Sequence, residues 1–242
     1  MDNYVYEDLR EHQEEHWWFK ARREILTRAL RGLDLPPDSE ILEIGCGTGG
    51  NLEMLGALGN VCGVEMHEEA CQYARTSSGK DIRVGYLPDQ VPFDKKFDLI
   101  CLLDVVEHIE NDAEALSSLN SMLKPGGRIV ITVPAYQWMY GKHDVLLHHF
   151  RRYSRSTLEK VVSGSDIAIE KLTYFNALLL PITVLAFIVD KLTPVDKFTG
   201  YDVPASWLNA TFYNIFRLER FVIDKLNLPF GSSLLMVSKP LG

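Results

Sequence analysis

The 242 residues are enough for one large α/β domain that buries a full core without disulfides or structural metals. Hydrophobic residues make up 46% and charged residues 24%, which argues against both wholesale disorder and a polytopic membrane protein. A net charge of −8 argues against nucleic acid as the main ligand, because a phosphate-binding surface needs an excess of Lys and Arg. The basic clusters at 20–23 and 151–155 are local.

The four cysteines (Cys46, Cys62, Cys71, Cys101) form no CxxC pair and no zinc-like spacing, so no metal is expected and a reducing cytoplasm is the natural setting. The first sixteen residues, MDNYVYEDLREHQEEH, are acidic and polar, unlike a secretory signal or transit peptide.

In chain order, helical patterning covers residues 4–32 and ends near Gly32 and the Pro36–Pro37 break. An apolar run at 41–44 meets the glycine cluster GCGTGG. An amphipathic segment at 51–58 and a second apolar run at 61–64 follow. The pattern then predicts a helix at 68–76, strands at 82–84 and 97–103, and a helix from 112 to 123 closed by KPGG. RIVITV at 128–133 is β-branched and suits a central buried strand. Strand and helix alternating at this spacing predict right-handed βαβ units around a parallel sheet.

Beyond Val133 the regularity breaks. Residues 134–153, rich in aromatics and His, read as a long loop or broken helix, and 156–162 as a helix. Residues 166–174 and 234–237 read as strands. The intervening 176–231 is mainly helical and is expected to fold over one end of the sheet. Residues 173–189 carry no charge for seventeen positions but contain Pro181, and a span needs about 20 apolar residues. This stretch is therefore expected not to span but to form a buried or substrate-covering helix, with interfacial membrane contact through 173–192 as the sharper alternative.

ILEIGCGTGGN is the most informative stretch. Glycines directly after a strand allow a tight turn and bring backbone N–H groups against a ligand. Gly45, Gly47 and Gly50 also satisfy GxGxxG, so glycine spacing alone does not decide between a dinucleotide and another nucleoside cofactor. Glu43, two residues before the first glycine, tilts the choice. A carboxylate there would repel a pyrophosphate but would suit a cofactor bearing ammonium and sulfonium groups. Glu65, ending the second strand, can accept both hydroxyls of a ribose.

Over residues 39–133 the sequence resembles the class I S-adenosylmethionine (SAM)-dependent methyltransferases. LEIGCGTG resembles the family's first motif, which implies Gly45, Gly47 and Gly49 against the amino-acid part of SAM, with Glu43 below and Asn51 beside it. VCGVEM resembles the second, implying Glu65 on the ribose and Met66 beside the adenine. FDLICLLDVVEHI is similar to the fourth-strand motif, where Leu103 and Asp104 would face the methionyl moiety, followed by His108 in a Glu–His pair. LKPGGRIVITVP resembles the segment leading into the fifth strand. The implied fold is a Rossmann-like, seven-stranded, mostly parallel sheet with an antiparallel last strand. One departure stands out. Many relatives carry an Asp after the third strand for the adenine amino group; here VGYLPDQVPF places Tyr86 and Leu87 there, leaving Leu87 and backbone, or Asp89, to hold the adenine.

Two further segments resemble a branch of bacterial small-molecule methyltransferases. EEHWWFKARREI implies an aromatic lid, with Trp18 over the cofactor and Arg22 on the SAM carboxylate. HDVLLHHFRRYSRSTL implies a substrate segment carrying Asp144, His149, Arg151, Arg152 and Tyr153. His149 is the expected base for a carbon or oxygen acceptor and Tyr153 a second catalytic group. Tyr136, Tyr140, Asp144, Arg151 and Arg152 are the expected substrate contacts, the alternative being that both arginines pair with Asp144 to stitch the loop. Taken together, the chain reads as a single methyltransferase domain with an N-terminal helical lid (1–38), a core (39–175), a helical insertion (176–231) and a last strand (232–242). Its acceptor would be a small or lipid- or glycan-linked molecule. A nicotinamide-dependent oxidoreductase and a non-catalytic SAM-fold binding protein at a membrane surface are the competing readings.

Overall fold

The computed structural model describes residues 3–192 and 200–241, so positions 193–199 of the expected helical insertion, residues 1–2 and Gly242 lie outside the described residues. Seven strands form one sheet: β1 (Glu40–Ile44), β2 (Asn60–Glu65), β3 (Asp81–Val84), β4 (Phe97–Leu103), β5 (Leu123–Pro134), β6 (Ile167–Phe175) and β7 (Ser233–Pro240). Their order is β3-β2-β1-β4-β5-β7-β6, with β7 antiparallel to both neighbours and the other pairings parallel, as expected from the sequence. The helices are α1 (Asn3–His12), α2 (Trp17–Arg31), α3 (Leu52–Gly56), α4 (Glu68–Ser78), α5 (Asp112–Ser118), α6 (Lys142–Leu146), α7 (Arg155–Val162), α8 (Leu180–Leu192) and α9 (Ser206–Phe216).

The unbroken apolar runs become central strands because both sheet faces are covered. One face packs Leu42, Ile100, Ile129, Ile131 and Tyr153 against α5 and α7; the other packs Ile41, Cys101 and Val130 with α2 and Phe216 of α9. Each such fully buried aliphatic side chain stabilises the fold by roughly 1.5–3 kcal/mol.

The helical residues 4–32 form two helices, because His16 turns to extended backbone and caps α2, its ring accepting from the Trp18 N–H at 3.3 Å. Two expectations are corrected. KPGG does not close a helix: α5 ends at Ser118, a 3₁₀ turn follows at Leu119–Met122, and KPGG lies inside β5. There β5 advances from Leu123 to Arg128 while β4 advances only from Phe97 to Leu99, so the surplus bulges out, with Gly126 at φ +81°. Second, α8 is not a core helix, since none of its side chains is buried.

The parallel strands all end at one edge of the sheet, where β7 begins. The segment joining β6 to β7 must therefore leave and return at that edge. Its start is held by Glu219, whose carboxylate accepts from the N–H groups of Asn176, Ala177 and Leu178 at 2.7, 2.7 and 3.0 Å. α9 docks on α2, with Trp17 packed edge-on against Phe212 and Phe216. α8 reaches the segment after β5 through Phe187, which lies edge-on to Trp138 and against Gly141. Among the described residues no helix is long and apolar enough to cross a membrane.

Candidate active site

At the carboxyl edge β1 runs into Gly45, Gly47 and Gly49, which adopt φ of +67°, +55° and +90°. A Cβ at Gly45 would lie 2.7 Å from Val105, so any side chain there would clash as well as strain the backbone. Gly47 is different: nothing lies within 4 Å of a Cβ built on it, so its backbone borders open space. The turn thus needs glycine at one position for packing and leaves room for a ligand at another.

Beneath it Glu43 is 1% exposed. Asn51 Nδ2 donates to its Oε1 at 2.8 Å, while Oε2 is buried with no hydrogen-bond partner. Burial pushes this carboxyl up to about 7, against the opposing effects of Asn51 and of Arg22. Glu65, at the end of β2, accepts at Oε2 from Gly47 N–H (2.8 Å) and at Oε1 from His67 N–H (2.9 Å) and the Tyr6 hydroxyl (3.1 Å). Tyr6 and Gln13, which accepts from the Thr48 hydroxyl at 3.0 Å, bring α1 and the residues after it over the glycine turn. Sequence reading missed both, because polar contacts between residues 35 and 59 positions apart leave no local pattern.

The adenine side is more open. Met66 is 68% exposed, Asp89 and Tyr86 are exposed, and Leu87 is packed into the core at the edge of this region. Leu103 is buried at the end of β4. Asp104, at φ +61°, accepts from the Thr132 hydroxyl at 3.2 Å and pairs with Arg22 at 2.6 Å. Arg22 also donates to Thr132 Oγ1 at 2.9 Å and lies 5.1 Å from the Trp18 ring. Arg22, Trp18, Asp104 and Thr132 therefore form one cluster, although Arg22 is engaged by protein groups.

The segment after β5 supplies the opposite wall. Asp144, fully buried, accepts from His149 Nδ1 (2.8 Å), Arg152 Nε (2.8 Å) and the Gly141 N–H (2.9 Å). Burial alone would raise its pKa, but the His149 and Arg152 bonds outweigh it and hold the carboxyl at about 2. Tyr140 donates to the His149 carbonyl at 2.6 Å, and Phe150 N–H to the Glu107 carbonyl at 2.8 Å. That second bond brings the 3₁₀ turn at Val106–His108 against His149, whose ring lies edge-on 4.5 Å from His108. Burial, then His149, lowers the His108 pKa to about 3.

Several expected substrate and catalytic groups sit elsewhere. Tyr153 is 1% exposed, with its hydroxyl on Asp112 (2.7 Å) and near the Val106 carbonyl, so it packs in the core. Arg151 pairs with Asp112 at 2.7 Å and donates to the Glu110 carbonyl, so only Arg152 stitches Asp144. Tyr136 stacks on Tyr174 and Trp138, towards β6. Glu107, which sequence reading left without a role, is fully buried beside Asp104 and His108.

A family model described as a methyltransferase domain matches residues 11–176. Ubiquinone biosynthesis O-methyltransferase of Rickettsia bellii is 27% identical over 155 residues, covering 56% of this chain and 64% of that protein. Demethylmenaquinone methyltransferase of Tropheryma whipplei is 28% identical over 165 residues, covering 66% and 65%. The match thus spans less than two thirds of these relatives' own length. Among solved structures, an S-adenosylmethionine-dependent methyltransferase from Clostridium acetobutylicum superposes with a TM-score of 0.58 at 15% identity, covering 92% of both chains, a likeness of fold.

Proposed function

The chain belongs to the methyltransferase domain family, and on that basis we propose that it transfers the methyl group of SAM to a small-molecule acceptor, with S-adenosylhomocysteine as the other product. The observation that carries this is Glu43. Its buried, unpartnered Oε2 beneath the glycine turn suits a cationic, hydrogen-donating cofactor and opposes a pyrophosphate. Glu65 would hold the ribose, the Gly45–Gly49 turn and Asn51 the amino-acid part, Leu87 and Met66 the adenine, and Arg22 with Trp18 the carboxylate. Leu103, Asp104 and His108 would line the methyl-bearing end.

When bound, SAM supplies a sulfonium methyl whose transfer leaves a neutral thioether. The chain's own part is to align the acceptor and accept its proton. Asp144 fixes Nδ1 of His149 as the donor nitrogen, leaving Nε2 with its lone pair as the base for an oxygen or carbon acceptor. Arg152, Tyr140 and Asp144 position this imidazole.

The HWWF and HxRRY segments support placement in a bacterial small-molecule branch, and the names of the quinone-pathway relatives support a small-molecule acceptor. α1 and α2 act as the lid over the core, and 176–231 as the cover of the acceptor end. The wholly unburied, apolar α8 favours an amphiphilic or lipid-linked acceptor and a peripheral membrane contact through 173–192, on the cytoplasmic side.

Calorimetric titration with S-adenosylhomocysteine, with NADH in parallel, tests the cofactor. One-to-one binding of the thioether and no NADH signal is the expected result; NADH binding alone would overturn it. Co-sedimentation with vesicles tests the membrane contact, which fails if all protein stays in the supernatant.

A further inference from the structure

Glu107 is fully buried, and beyond a contact with its own backbone N–H neither carboxylate oxygen meets a hydrogen-bond donor. A fold does not leave such a group without compensation, because even a neutral carboxyl costs several kcal/mol when its polar atoms are unpaired. A cation at this place would supply the missing electron-pair acceptor.

Two imidazoles face the same place. One atom each of Glu107, His108 and His149 can be chosen so that all three lie within 4.8 Å of one another. The ring nitrogens are already sorted by their other partners. His149 Nδ1 is committed to Asp144, leaving Nε2 as a ligand. One ring nitrogen of His108 is held by the His148 carbonyl, leaving the other. A carboxylate orienting the far nitrogen of a ligating histidine is the standard outer shell of a metal site. Asp144 is itself fixed by Arg152 and the Gly141 N–H.

We propose that Glu107, His108 and His149 bind one divalent transition-metal ion, of the Zn²⁺ class, at the acceptor end of the sheet, with Asp144 orienting His149. Two nitrogen ligands and one carboxylate match this class rather than Mg²⁺, which takes oxygen ligands and retains water. Three protein ligands leave coordination positions open, as in catalytic rather than structural zinc sites. The ligands come from two segments some forty residues apart, which is why no metal-ligand spacing is visible in the sequence.

The binding claim does not depend on the methyltransferase reading; what the ion does rests on it. With the metal on Nε2, His149 is a ligand and not a base. An acceptor hydroxyl on an open position would then lose its proton to bulk water while the electron pair stays on the metal-held oxygen. The ion would replace His149 as the activating group.

The test is titration of EDTA-treated full-length protein with Zn²⁺, then with Mg²⁺, alongside the S-adenosylhomocysteine titration. The expected result is one Zn²⁺ per chain and no comparable Mg²⁺ binding. Affinity should fall at least about 100-fold in Glu107→Gln, and about 10–100-fold in Asp144→Asn, as happens when a group that orients a metal ligand is lost. Visible absorption of Co²⁺ added to the wild-type protein reports nitrogen coordination without relying on any variant folding. No stoichiometric Zn²⁺ uptake, no Co²⁺ band, or equal affinity in Glu107→Gln that still binds the thioether would each overturn the proposal. Zn²⁺ binding without thioether binding would leave the metal site standing and remove the methyltransferase reading.

Discussion

The two ends of this site are built differently. The centre of the proposed cofactor end lies in one short stretch, Glu43 to Met66, where strand, turn, helix and strand follow in order and polar contacts run between neighbours in the fold, such as Gly47 with Glu65 and Asn51 with Glu43. The proposed acceptor end is assembled from distant pieces: Asp104 and Glu107 after β4, Asp144 and His149 after β5, and the segment between β6 and β7. Its integrity rests on buried ion pairs and single backbone bonds, such as Phe150 to Glu107. A contiguous turn can bind a cofactor common to many enzymes, while a composite wall can change its acceptor without disturbing that turn.

The contrast yields graded expectations. The largest is at the composite wall. Asp144→Ala leaves Arg152 and His149 without their buried partner and should lower stability by about 3–5 kcal/mol, read by urea unfolding. A loss under about 1 kcal/mol would show that the pair is solvated. Next, Glu65→Ala should weaken S-adenosylhomocysteine binding by at least roughly 100-fold, since the two proposed charge-assisted bonds to the ribose would contribute about 1.5–3 kcal/mol each. Unchanged affinity would remove Glu65 from the ribose role. Tyr6→Phe deletes one hydrogen bond to the same carboxylate and should cost about 0.5–1.5 kcal/mol, a few-fold to ten-fold in affinity, without altering turnover at saturation.

The last effect is a slope with pH. The Glu43 carboxyl lies at about 7 in the folded chain, above its ordinary 4.5. Between these values the folded state holds more protons than the unfolded one, so this group makes stability fall as pH rises from about 4.5 to about 7, and contributes no slope above that. Glu43→Gln should flatten the thermal-melting profile within that window alone. A profile parallel to wild type would show that Glu43 ionises normally.

Much of the architecture was legible because strands and helices write their burial into residues two or 3.6 positions apart. The strands at 41–44, 61–64, 97–103 and 128–133, the glycine turn with Glu43 and Glu65, and the antiparallel final strand all follow from local pattern and motif. Errors came where a local signal was ambiguous. Pro and Gly at 124–127 mark a helix stop and a strand bulge equally well, and pairing with β4 chose the bulge. The apolar 180–192 reads the same whether a helix is buried or bare, and the helix stands clear of the core.

The sequence by itself determined the sheet, its crossovers and the cofactor turn, because each depends on backbone geometry and hydrophobic period within a few residues. Tertiary structure alone decided that Tyr153 is core, that Arg151 serves Asp112 while Arg152 serves Asp144, and that Glu107, His108 and His149 converge. Those outcomes depend on which side chains meet once the chain has folded, from eight positions apart for Arg152 and Asp144 to 41 for Tyr153 and Asp112, and side-chain polarity alone does not encode the partner.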